Sequence, residues 1–93
     1  MLGRQGRLVE AGEARAQLGY LLLKHRKYDE AVALFQKEVS GRPGDAAAHN
    51  NLGAALLLRG DVGPAIEHFE ESLRLDPGHE KARRNLAAAR QRR

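Results

Sequence analysis

Residues 46–79, AAAHNNLGAALLLRGDVGPAIEHFEESLRLDPGH, lie over residues 12–45, GEARAQLGYLLLKHRKYDEAVALFQKEVSGRPGD, at an offset of 34 with no gap. Leu18-Gly19 falls on Leu52-Gly53, Ala31 on Ala65, Phe35 on Phe69, Val39 on Leu73, and Pro43-Gly44 on Pro77-Gly78. A third copy opens at Glu80 and sets Leu86-Ala87 where Leu-Gly stood. It spans a single helix's length. A repeat of this period marks stacked units, each unable to bury its apolar face alone.

Each copy reads as two helices. Ala48, Leu52, Ala55 and Leu56 recur at three- and four-residue spacing, the period of an amphipathic helix. Gly60 ends that helix, because it takes a left-handed conformation without strain. Asp61 then stands at a favourable N-cap, with Pro64 in the first turn, where a missing N–H does no harm. Ala65, Ile66, Phe69 and Leu73 form the second apolar face, and Asp76-Pro77-Gly78 closes it. The predicted helices are 9–25, 28–41, 46–59, 62–75 and 80–91, with residues 1–8 a loosely ordered segment. Arg59-Gly60-Asp61, which spells an adhesion tripeptide, reads as the turn between two helices. Gly19, Gly53 and Ala87 fall mid-helix, where Gly costs up to ~1 kcal/mol against Ala. A close neighbouring helix explains them, with Ala31 and Ala65 the expected partners and Phe35 and Phe69 filling space further along.

The pattern resembles the tetratricopeptide repeat family. Leu18, Gly19, Tyr28, Ala31, Phe35 and Pro43 carry the resemblance in one copy. Leu52, Gly53, Gly60, Asp61, Ala65, Phe69, Asp76 and Pro77 carry it in the other. It implies an all-α fold of two helical hairpins, 12–45 and 46–79, plus a C-terminal capping helix within 80–93, stacked as a short right-handed superhelix. Four features depart from the family. Arg15, His49 and Arg83 replace an early aromatic. Arg26 replaces the turn glycine, which predicts either strain or a different turn. Glu38 replaces a small residue and needs a cation or solvent. Two full repeats fall below the roughly three that stacking favours, which self-association, a partner or excision from a longer protein would resolve. A self-assembling structural module completed by another copy, a homo-oligomer, is therefore an alternative function.

The resemblance implies a non-catalytic protein-interaction module that binds a protein or peptide in a concave groove lined by the first helices. Carried over, that groove is lined by Glu13, Ala16, Gln17, Tyr20, Leu23 and Lys24. Ala47, Asn50, Asn51, Ala54, Leu57 and Leu58 follow, then Lys81, Arg84, Asn85 and Ala88. Some members grip a peptide's C-terminal carboxylate with a Lys/Asn/Asn/Lys/Arg clamp. Asn51 and Lys81 match it, whereas Ala16, Tyr20 and Asn85 do not. An apolar floor of Tyr20, Leu23, Ala54, Leu57 and Leu58 is the other reading, suited to an amphipathic helix, an extended segment or a second copy.

Charge is unevenly placed. The net +4 divides into +1 over residues 1–11, +1 over 12–45, −3 over 46–79 and +5 over 80–93. The basic surface of Arg83, Arg90, Arg92 and Arg93 suits a solvated capping helix, since cations near a helix C-terminus are favoured by the dipole. Docking to an acidic protein, an anionic membrane or nucleic acid is the alternative. Nucleic acid is the weaker case, because no aromatic is interleaved for base stacking. The chain has no Cys, which excludes a disulfide framework and a thiol nucleophile. His25, His49, His68 and His79 lack the i, i+4 spacing of a helical metal pair, so neither metal nor cofactor is expected. No apolar run, Leu21-Leu22-Leu23 included, is long enough for a transmembrane helix. Residues 1–15 lack the apolar core of a signal peptide, and a soluble, cytoplasmic protein is the expectation.

Overall fold

The computed structural model describes residues 14–93. Residues 1–8, the expected N-terminal segment, and Glu13 lie outside the described residues. The described residues form helices and turns with no strand: α1 (14–24), α2 (Tyr28–Gly41), α3 (Ala46–Arg59), α4 (Val62–Leu75) and α5 (Glu80–Gln91). Helices α2 to α5 occupy the predicted ranges. Each packs on its neighbours in sequence, and α3 also touches α5. The molecule is a helical solenoid.

Two turns of the same shape make the hairpins. At Gly60, φ is 99°. Its N–H donates to the Leu57 carbonyl, and the Asp61 N–H donates to that of Leu56. This 5→2 and 6→1 pairing satisfies carbonyls a helix end leaves open. Arg26 does the same with φ 60°. Its N–H donates to the Leu23 carbonyl and the Lys27 N–H to that of Leu22. The first turn therefore keeps the shape and accepts a strained arginine. Asp61 stands at the N-cap of α4 but makes no side-chain cap. Arg59 Nε holds its carboxylate at 2.7 Å. Side-chain caps occur elsewhere: Asp45 accepts from the Ala47 and Ala48 N–H groups, and His79 Nδ1 accepts from that of Ala82.

The mid-helix glycines meet aromatic rings rather than the alanines. A Cβ on Gly19 would lie 2.2 Å from the Phe35 ring, and one on Gly53 would lie 2.6 Å from that of Phe69. Both rings are fully buried, with Ala31 and Ala65 beside them in the core. Ala87 stands at the third equivalent position and is exposed, so a methyl is tolerated there. Ser72 is fully buried, and its hydroxyl donates to the Ala46 carbonyl at 2.8 Å. Its counterpart Glu38 reaches Arg15 at 3.4 Å, the cation that a carboxylate at this position requires.

Candidate functional site

Helices α1, α3 and α5 lie side by side, joined by a ladder of side-chain bonds. Tyr20 Oη donates to Asn51 Oδ1 at 3.2 Å between α1 and α3. Asn85 Nδ2 donates to Asn50 Oδ1 at 2.9 Å between α3 and α5. Arg92, just past α5, reaches the Leu57 carbonyl at 3.5 Å. The Tyr20 ring stands 6.1 Å from that of Phe35 and remains half exposed. A hollow of about 160 Å³ opens between α1, the end of α2 and the start of α3. Ala16, Tyr20, Ala47 and Asn51 line it, with Glu38, Arg42 and Asp45 at its edge.

The expected groove residues divide by depth. Tyr20, Lys24, Leu58, Lys81 and Arg84 are exposed; Leu23, Asn51, Ala54 and Asn85 are half-buried. Asn50 and Leu57 are buried, and Leu57 belongs to the hydrophobic core. These two cannot line a surface open to a ligand. Asn50 instead accepts the Asn85 bond, as a buried amide needs a partner. The carboxamide of Asn51 is engaged by Tyr20 through its oxygen, which leaves its NH2 as a donor.

The described cations divide into paired and unpaired, and those expected in the groove are among the unpaired. Arg15, Arg42, Arg59, Arg74, Arg83 and Arg90 each pair with a carboxylate. Lys24, Lys81 and Arg84 pair with none among the described residues, and no described residue expected in the groove is acidic. The basic surface is partly spent internally. Arg83 meets Glu80 at 3.7 Å and the Pro77 carbonyl at 2.9 Å, Arg90 meets Glu70 at 3.4 Å, and Arg93 is exposed. The adhesion tripeptide is likewise engaged: Arg59 bonds Asp61 and also Asp29 at 3.2 Å, tying α2 to the second turn.

One constellation has no signature in the sequence. His49 Nε2 lies 2.8 Å from the Pro43 carbonyl, and His49 Nδ1 lies 3.1 Å from His68 Nδ1. A carbonyl only accepts, so the proton on His49 sits at Nε2 and His68 Nδ1–H donates to His49. The ring centroids are 5.4 Å apart with planes 25° from parallel, so the rings meet edge to edge. Burial, then the neighbouring His49, pushes the His68 pKa down; Glu67 and Glu71 pull it up. No group of three or more His, Cys, Asp or Glu among the described residues could hold a metal. No described helix is long and apolar enough to cross a membrane.

The tetratricopeptide repeat family matches residues 16–80. An inactive TPR repeat-containing thioredoxin, TTL3, of Arabidopsis thaliana is 30% identical over 89 residues, 92% of this chain and 13% of that protein. The Hsp70-Hsp90 organizing protein of Triticum aestivum is 38% identical over 63 residues, 68% of this chain and 11% of that protein. The chain thus spans only a small part of these relatives' lengths. Among solved structures, the Sgt2 TPR domain of Aspergillus fumigatus superposes with a TM-score of 0.81 at 25% identity, covering 86% of this chain and 53% of that one. The repeat, the hairpin geometry and these matches together show that the chain belongs to the tetratricopeptide repeat family.

Proposed function

We propose that the chain is a non-catalytic module that binds a protein segment along the face of α1, α3 and α5. One observation carries this reading. Exposed Tyr20 and Leu58 share that face with Lys24, Lys81 and Arg84, cations without a carboxylate partner among the described residues. An apolar anchor docked at Leu58 and flanking carboxylates on the ligand complement both features. Two relatives, the Hsp70-Hsp90 organizing protein and a peroxisomal targeting signal receptor of Candida albicans, are named for dealings with other proteins, which supports a partner of that kind.

Selection from a random peptide display library tests it. Enriched peptides are expected to combine an apolar residue with acidic ones. They should lose affinity at least about tenfold, a buried anchor's worth, for Leu58→Glu and Tyr20→Ala. The paired Lys81→Ala/Arg84→Ala variant should lose the salt dependence of binding. Peptides that bind the groove variants as well as the parent protein would place the interaction elsewhere.

A further inference from the structure

We propose that a second copy of this chain docks, about a twofold axis, on the face that α1 and α2 present at the N-terminal end of the described stack. The internal repeat provides the comparison. Leu18 and Leu21 are 48% and 50% exposed, while their counterparts Leu52 and Ala55 are 2% and 0% exposed. Leu22 is half-buried where Leu56 is buried. In the second hairpin those positions pack into the core, with α2 lying against α3. In the first hairpin no described helix precedes α1 to do the same. A hollow of about 320 Å³ lies here, lined by Leu18, Leu22, Ala33 and Leu34 with Glu30 and Lys37.

The charge pattern identifies the occupant. Glu30, Ala33, Leu34 and Lys37 follow i, i+3, i+4, i+7 spacing and form one stripe on α2. A carboxylate stands at one end, an ammonium at the other, and the apolar pair at the centre. Such a stripe is complementary to itself. Two of them crossing antiparallel about Ala33 and Leu34 set Glu30 of each copy against Lys37 of the other. A parallel crossing would set like charges together. Neither Glu30 nor Lys37 has an ion pair among the described residues. The apolar centre is specific to this hairpin: in α4 the equivalent positions hold Glu67 and His68, and His68 is bonded to His49. This face contains none of the exposed residues assigned to ligand binding, so both can act at once.

Sedimentation equilibrium of the whole chain, from low micromolar to submillimolar, reads the outcome. The mass is expected to rise from one copy towards two. Leu34→Glu should remain at one copy, with the helical circular dichroism of the parent. Glu30→Lys and Lys37→Glu should each weaken self-association. An equimolar mixture of those two variants should associate more tightly than either alone, because every cross-contact is again of opposite charge. A single-copy mass at every concentration overturns the proposal. So does association that Leu34→Glu leaves intact, or a mixture no tighter than its components. The two charge variants lie on exposed helix surface and keep the test decisive if Leu34→Glu fails to fold.

Discussion

The fold opposes protonation of His68, and the sign of the consequence follows. Burial is the main cause and the facing His49 the second. Glu67 and Glu71 favour the charged form, but Arg74 grips Glu71 and holds that carboxyl below its usual range. The folded state therefore prefers neutral His68. As the pH falls through the ordinary histidine value of about 6.5, the unfolded chain takes up its proton first. Stability then declines with falling pH, because the unfolded state binds more protons. Urea midpoints at pH 7.5 and 5.5 should differ for the parent protein and differ less for His68→Leu, which installs the residue of the first hairpin. An unchanged difference would show that the pair has no part in the pH response. His49 and His68 stand 19 residues apart, so no short-range pattern announces them. Only the packing of α3 on α4 brings the two nitrogens together.

The hairpin turns are the elements the sequence describes best, and their chemistry is where it misleads. Both close with the same carbonyl pairing, yet one left-handed position holds Gly60 and the other Arg26. A side chain in that conformation costs roughly 1–2 kcal/mol. Arg26→Gly should therefore raise stability by about 0.5–1 kcal/mol, the relief being partly offset by the freer unfolded chain. Gly60→Ala, where nothing obstructs the methyl, should lower it by about 1 kcal/mol from backbone strain alone. Denaturant unfolding of the two variants should move the midpoint in opposite directions, and movement in the same direction would contradict a shared turn geometry. The capping assignments were less legible. Asp61 has the right residue type at the right place, but Arg59 competes for its carboxylate. Asp45 and His79 cap because their side chains have no stronger rival. The glycines tell a similar story: spacing marks Gly19 and Gly53 as sites of close approach, while the partner, a phenylalanine ring, depends on how the helices cross.

At the scale of the whole molecule, the 34-residue offset specifies a stack but not the borders of its surfaces. Leu57 and Leu58 are neighbours in sequence, yet one is buried and the other exposed; Asn50 and Asn51 differ in the same sense. Periodicity selects a helical face about a third of a turn wide, and burial changes completely within that width. The stack also has a mechanical consequence. Contacts run from α2 to α3, α3 to α4 and α4 to α5, with α3 to α5 the longest step. Leu86 is the larger of the two apolar residues, with Ala89, that α5 adds to the core cluster. Leu86→Ala should cost about 2–4 kcal/mol through lost burial and the cavity left behind. In a structure built from nearest-neighbour interfaces that loss stays local before it spreads. Amide hydrogen exchange of the variant should therefore accelerate in α5 and α4 while α2 keeps its protection. Equal acceleration across α2, α3 and α4 would mean that the hairpins and the capping helix open as one cooperative unit, and stability could not be assigned interface by interface.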